Sequence, residues 1–414
     1  MNCSAKQDLI ILIFLLSFLF SCKNKENSRI HINVIDIELS LKNLTRLKVS
    51  DFGKTIRFIP LETVENGLAG NNPVIKVSKN YIIIETQKSC LLFDKKDGKF
   101  IASIGHFGQD PYAYSSSYSR IDEKEELLYF LRYPNQLVSY DVKGNFYSKI
   151  EFTSPPGLAS CYLFTDSNII GHFTAEQYTL GIFSKEGLLK DTISLPFQRV
   201  QQFTREEIAN VSVLKNNNIY GIWANSGVII FNFKNNTKQI DPQNLTTIWV
   251  NNGNIRLKES FVDTIYTFAE NSLIPSIVFN TGIYHWPVQE VRNNEQYTSD
   301  RIFISTVSEN NNFVFFQCIR GLYSKEPVLF NGLYNKDTGK TKLGRNSDSI
   351  EDDLSSFMPF KPLGMSTTGE FVSLIEVWEV LEWLEKHPEA KNNGKLSFLK
   401  DLDEEANPIV MLVE

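Results

Sequence analysis

The stretch YIIIETQKSCLLFDKKDGKFIASIG, Tyr81–Gly105, decides the fold class. It contains short apolar runs at Tyr81–Glu85, Cys90–Phe93 and Phe100–Ile104, separated by Gln87-Lys88-Ser89 and by Lys95-Lys96-Asp97-Gly98. Runs this short, rich in Ile and Phe and bounded by Asp, Gly and Ser, predict antiparallel strands. Asp97-Gly98 predicts a tight hairpin, since Gly takes positive φ without a steric penalty.

Outward from this stretch the pattern recurs. Counting it as the first unit (about Val74–Ile104), a second holds Leu127–Leu131, Leu137–Tyr140 and Phe146–Phe152. Next come Asn168–Phe173, Tyr178–Phe183 and Leu188–Leu195, then Asn218–Trp223, Val228–Phe233 and Thr237–Ile240. A fifth unit has Ile255–Leu257, Asp263–Phe268 and Ile274–Phe279; a sixth has Phe313–Cys318, Val328–Tyr334 and a strand after Asp337-Thr338-Gly339-Lys340. A spacing of ~40–50 residues is that of a four-stranded propeller blade. FDKKDGKF (93–100), YDVKGNF (140–146), FSKEGLL (183–189) and YNKDTGK (334–340) share one turn chemistry, Asp or Lys before Gly, placed between the third and fourth strands of a blade. Calcium binding needs more carboxylates at alternating positions than these turns offer.

The chain has 414 residues, enough for two average domains or one large all-β array. Hydrophobic residues make up 42%, which supplies a core, and the 30 Phe and 16 Tyr favour strands. A net charge of -6 without a basic face argues against nucleic acid as a partner. Leu9–Phe20 is apolar apart from Ser17, the length of a signal-peptide core, and it ends at Ser21-Cys22. That ending resembles a bacterial lipobox with Cys22 as the lipidated residue; an ordinary secretory signal or a short anchor helix is the alternative. Residues 1–21 are then a lipoprotein signal peptide, 22–50 a tether and entry segment with an entry strand expected within His31–Val49, and 51–414 the propeller domain. Cys90, Cys161 and Cys318 lie far apart in apolar runs, so buried free thiols are expected rather than disulfides or a zinc site.

At the C-terminal end, Phe371–His387 (FVSLIEVWEVLEWLEKH) places Val377, Leu381 and Leu384 on one helical face and ends at Pro388, predicting one amphipathic helix over about 372–387 packed on the β-core. Asn407–Glu414 (NPIVMLVE) reads as a last strand. It is expected to share a blade with Ile56–Leu61, because an open array would leave two bare sheet edges. The expected fold is therefore an all-β propeller closed by the N- and C-terminal strands. Counting units leaves six or seven blades.

FIPLET (58–63), the 93–105 unit, Gly108, Pro111 and Tyr114 in the 105–114 turn, Asp263-Thr264-Ile265-Tyr266, Asp352-Asp353-Leu354 and Asn407-Pro408 resemble the six-bladed β-propeller lipoproteins of Bacteroidota, a family of largely unassigned function. The resemblance implies six blades and an exported, lipid-anchored protein. It implies no catalytic residue.

No HExxH, Gly-x-Ser-x-Gly, P-loop or dinucleotide fingerprint occurs, and no two of the five His have metal-ligand spacing. No metal or cofactor is expected. Phe107, Tyr112, Tyr114 and Tyr118 crowd the connection between the first two units, and His285-Trp286-Pro287 lies in a long insert from Gly282 to Asp300. Arg132 and Arg320 follow inner strands. Aromatic faces stack on sugar rings or apolar ligands. Phe107, Tyr112, Tyr114, Arg132, His285, Trp286 and Arg320 are accordingly the candidate ligand contacts; inter-blade packing is the competing role for each. The expected function is a non-enzymatic, monomeric propeller binding a glycan, peptide or partner protein at the outer membrane, on its periplasmic face or the cell surface. A propeller hydrolase or lyase, or a structural subunit of a nutrient-uptake complex, are the alternatives.

Overall fold

The apolar runs pair as their period-two patterning requires, and they build seven sheets. The structure is a computed structural model describing residues 32–414, except 71–72, 87, 154–157, 175, 177, 201–202, 216–226, 243–246, 293–299, 323 and 325. Cys22, the signal segment and the expected strand Asn218–Trp223 lie outside the described residues.

The first sheet joins Val74–Val77, Tyr81–Glu85, Cys90–Asp94 and Phe100–Ser103. Arg120–Asp122, Leu127–Arg132, Gln136–Asp141 and Phe146–Glu151 form the second; Cys161–Phe164, Ile169–His172, Tyr178–Phe183 and Leu189–Ser194 form the third. Ile302–Glu309, Phe313–Arg320, Val328–Asn335 and Lys340–Arg345 make the sixth. All of these are antiparallel and run in chain order from an innermost to an outermost strand. The fifth sheet, Ile248–Asn251, Asn254–Leu257, Thr264–Ala269 and Ser272–Asn280, takes an extra parallel strand, Asn33–Asp36, on its outer edge. The segment before residue 50 is thus partly built into the fold.

The seventh sheet is assembled from both ends of the chain. Gly364–Met365 and Phe371–Ile375 pair with Ile409–Val413, which pairs in turn with Ile56–Pro60, Phe58 opposite Met411. Here the structure corrects the expected helix over 372–387. Phe371–Ile375 is a strand buried on both faces, with hydrogen-bonded neighbours on both sides, and the helix is only Val377–Lys386. FVSLI is β-branched and apolar without a polar face, which suits a central strand. The helix packs Val380 and Leu384 into the core and leaves Trp378 63% exposed.

Neighbouring sheets pack face to face through alternate residues of the same strands. Ile83 and Leu92 meet Leu128 and Phe130 of the second sheet, while Leu127 and Tyr129 turn to Ile169 and Phe183 of the third. Cys161 and Leu180 of the third meet Ile248 and Leu257 of the fifth. Ile265 and Phe279 of the fifth meet Ile304 and Phe316 of the sixth. Phe315 and Leu333 of the sixth meet Phe371 and Met411 of the seventh, whose other face, Val410 and Leu412, packs on Ile82 and Ile84 of the first. Cys90, Cys161 and Cys318 are buried thiols within these layers.

Among the described residues the fourth sheet, Ile208–Lys215, Gly227–Phe233 and Lys238–Pro242, is three-stranded and lies outside the row of the other six. The first strands of the third and fifth sheets lie directly against each other, so nothing separates them there. Ile230 and Ile240 instead pack with Trp286, Phe303 and Leu329. The sequence counted this segment as an equal repeat; the structure makes it an excursion.

The hairpins between third and fourth strands also set the distance between sheets. Gly98 has φ 76° and Gly144 φ 84°. A Cβ on Gly98 would collide with the carbonyl of Pro60 on the seventh sheet's edge, and one on Gly144 with the carbonyl of Ser103 on the first sheet's edge. The same glycine therefore serves the turn and lets the next sheet's edge approach.

Candidate functional site

The first strands of the first, second, third, fifth, sixth and seventh sheets wall a cavity of about 2250 Å³, touched by Lys76, Arg120, Cys161, Trp249, Thr306 and Met365, one from each. Its two ends differ. In a four-stranded antiparallel sheet the connection leaving the outermost strand emerges at the same end as the turn between the second and third strands. At that end lie the described residues of the long segments 104–119, 195–247, 281–301, 346–363 and 376–408, the last of which carries the helix. The opposite end has tight turns such as 95–99 and 142–145. Those turns meet one another: Lys79 N donates to Glu123 Oε1 (2.8 Å), Lys124 pairs with Asp166 (3.0 Å), and Asn310 Nδ2 donates to the Gly369 carbonyl (2.9 Å).

All seven candidate contacts from the sequence fall at the long-loop end, but they do different things there. Phe107 is 45% exposed and lines the cavity mouth. Tyr112 is exposed away from the cavity, its ring against Phe146 (5.0 Å). Tyr114 is fully buried, stacked on Phe130 (4.5 Å), and Trp286 is 3% exposed with Phe261 at 5.3 Å. These two rings are core side chains, with no face offered to a ligand. Arg132 donates to the carbonyls of Asp110 and Ala113 (2.6 Å each), which fastens the 109–113 loop. Arg320 donates to Asp300 (2.7 Å) and lies over Tyr284 (4.6 Å). His285 bonds Asp263 (2.9 Å), which raises its pKa. Among the seven, Phe107 alone lines the cavity.

Apart from Phe107 and Tyr118, the residues that line it were not singled out by sequence. Tyr133, 63% exposed, stands at the mouth with Phe107. Below them Ser115-Ser116-Ser117-Tyr118-Ser119-Arg120 descends along the wall. Tyr133 N donates to Ser115 Oγ (3.2 Å) at the top. At the bottom Lys76 Nζ and Arg120 Nη1 both donate to the Ser119 carbonyl, at 2.8 Å each. Lys76 also pairs with the buried Glu85 (2.7 Å), whose other contacts are the Ser119 N–H and hydroxyl (2.6 Å each). Burial lowers the Lys76 pKa, with Glu85 opposing the shift.

Further round the wall, Glu259 gathers three donors. It accepts from Arg199 Nε (2.9 Å) and Nη2 (2.6 Å), from Thr179 (2.9 Å) and from His172 Nε2 (2.8 Å). Burial opposes its charge, yet the bonds from Arg199 and His172 hold its carboxyl down at about 2. A carboxylate only accepts, so His172 Nε2 donates to Glu259, while Nδ1 lies 2.8 Å from Thr247 Oγ1. His172 belongs to the third sheet and Glu259 follows the fifth sheet's second strand, so this group braces two sheets. Lys258 beside it donates to the Glu259 and Ile304 carbonyls (3.2 and 3.4 Å), and burial pushes its pKa down to about 8. Among the described residues, no three His, Cys, Asp or Glu side chains converge as metal ligands do.

Residues 32–414 match the model of a domain of unknown function, DUF4934. The chain belongs to the DUF4934 family. No curated protein matches it. Among solved structures, this DUF4934 chain is similar to a putative exported protein from Bacteroides fragilis, at 17% identity and a TM-score of 0.59, over 93% of this chain and 99% of that one. A member of the DUF4221 family from Bacteroides vulgatus aligns at 10% identity and TM-score 0.45, over 87% and 96%. The WD40 repeats of RRP9 align at 10% and 0.38, over 89% and 99%. The first likeness, nearly full length in both chains, shows a shared all-β fold. Of the residues that carried the sequence resemblance in this DUF4934 chain, Asn407, Asp352 and Gly98 serve turns and strand junctions.

Proposed function

We propose that the chain is a six-bladed β-propeller of the cell envelope that binds a ligand at the long-loop mouth of its central cavity, without transforming it. On this reading the first, second, third, fifth, sixth and seventh sheets are the blades, the shared seventh sheet closes the ring, and the fourth sheet rides on the rim. The protein is exported and anchored through lipid on Cys22, facing the periplasm or the cell surface, and its partner is a glycan, peptide or protein.

The observation that carries the reading is the cavity mouth itself. Long connections collect at one end of a rigid array, and two exposed aromatic rings stand there over a polar wall. Rigid scaffolds with variable loops on one end are suited to recognition. The export reading draws support from Leu9–Phe20 and Ser21-Cys22. Among the described residues no helix is long and apolar enough to cross a membrane.

The test is a glycan and peptide array probed with the mature chain and with Phe107→Ala/Tyr133→Ala. Binding by the parent and its loss in the double variant are the expected result. Binding unchanged in the variant would move the site elsewhere, and sustained product release from any array member would make the protein an enzyme. Palmitate labelling of the expressed precursor, abolished in Cys22→Ser, tests the anchor.

A further inference from the structure

We propose that Lys76 and Arg120 form an anion subsite inside the cavity, and that the ligand is an acidic oligosaccharide whose carboxylate or sulfate group this pair receives; the inference rests on the binding reading above. Two cations donating to one carbonyl oxygen, that of Ser119, are held close together. Like charges at that range repel unless something offsets them. Glu85 pairs directly with Lys76, and its single negative charge faces both cations. Arg120 Nε reaches the Cys161 sulfur (3.4 Å), a weak acceptor, and Arg120 has no ion-pair partner among the described residues. A half-buried guanidinium on a cavity wall with one strong acceptor has donors left over, and its fork matches a carboxylate or sulfate. The missing negative charge is what an acidic ligand would supply.

The wall above the pair names the rest of the ligand. Ser115, Ser116 and Tyr118 line the descent from Phe107 and Tyr133. Aromatic faces suit the C–H faces of sugar rings, and hydroxyls match hydroxyls as both donor and acceptor. An extended peptide would instead seek free backbone carbonyls. Several here are occupied: Ser119 O by both cations, Thr86 O by the Ser117 hydroxyl, and Leu131 O by Ser115 N. An acidic sugar chain therefore fits this sector better than an acidic peptide.

The experiment uses the mature chain on an array of uronate-bearing and sulfate-bearing oligosaccharides, their neutral counterparts, and Asp/Glu-rich peptides, followed by calorimetric titration of hits at low and high salt. The expected result is acidic sugars bound at least tenfold more tightly than neutral ones, with affinity falling as salt rises. Arg120→Gln should reduce acidic-sugar binding about tenfold and leave neutral-sugar binding unchanged, while Arg120→Lys keeps part of the preference; melting curves verify that both variants are folded. Should Arg120→Gln fail to fold, the acidic-versus-neutral ratio and the salt response of the parent chain decide alone. Equal binding of acidic and neutral sugars would overturn the subsite and leave mouth binding standing. Peptides binding in place of sugars would overturn the ligand class. Binding of no array member would bring down the mouth reading and this inference together.

Discussion

Asn407 ties the last strand to the loop after Ile56–Pro60, the outer strand of the seventh sheet. Its Oδ1 accepts from Ala69 N (2.8 Å), and its Nδ2 donates to the carbonyls of Glu62 (2.8 Å) and Gly67 (2.7 Å). Asn407→Ala would leave these buried groups unpaired. Each costs about 1–3 kcal/mol, so a loss of about 2–4 kcal/mol in urea unfolding is expected; a loss below about 0.5 kcal/mol would contradict the role. Lys258 makes a pH prediction. Its pKa is about 8 folded, against an ordinary lysine's 10.5 unfolded. Below pH 8 both states hold the proton and no slope arises. Between pH 8 and 10.5 the unfolded state binds more protons, so stability rises with pH. Relative to Lys258→Met, the parent should gain up to about 3 kcal/mol across that window, read from paired melts at each pH. A difference that stays flat would show that Lys258 is not held in a proton-disfavouring site.

At the scale of elements, the hairpin glycines join local turn chemistry to packing between sheets. Gly144→Val places a β-branched side chain at φ 84° and against the Ser103 carbonyl. A loss of more than about 2 kcal/mol is expected, since backbone strain and a steric clash act together. Gly339 has φ 65° but open space around its Cβ position. Gly339→Val should therefore cost less than Gly144→Val, a comparison that separates packing from turn strain by calorimetry of the two variants. The helix Val377–Lys386 illustrates the same coupling. Its apolar face meets the core through Val377, Val380 and Leu384, while the Glu379 carboxylate accepts from Glu376 N at its first turn.

For the whole molecule, the seventh sheet decides whether the ends matter. Ile409–Val413 is buried along its length and sits between Phe371–Ile375 and Ile56–Pro60. Burying five such side chains contributes on the order of 10 kcal/mol, comparable to the entire net stability of a typical domain. Deleting residues 408–414 should therefore abolish cooperative unfolding and yield a protease-sensitive chain. A truncated protein that still melts in one sharp transition would show that the sheets do not depend on the shared strand.

Period-two runs and Gly turns were legible because their causes are local: a strand's alternation and a turn's φ are written within a few residues. That is why 93–100, 140–146 and 334–340 read correctly as hairpins. Phe107 was legible at the mouth for a similar reason, as an aromatic in a long connection. Tyr114 and Trp286 look the same in sequence, yet their neighbours Phe130 and Phe303 arrive from other strands and bury them. Likewise, FVSLI became a strand only because residues 409–413 pair beside it, and the fourth unit left the row because Cys161 and Ile248 meet without it. Sequence alone determined the all-β class, the turn positions and the buried thiols. Tertiary structure decided which unit stands outside, which rings are core, and that Lys76 and Arg120 converge on one carbonyl, because those outcomes depend on contacts between segments far apart in the chain.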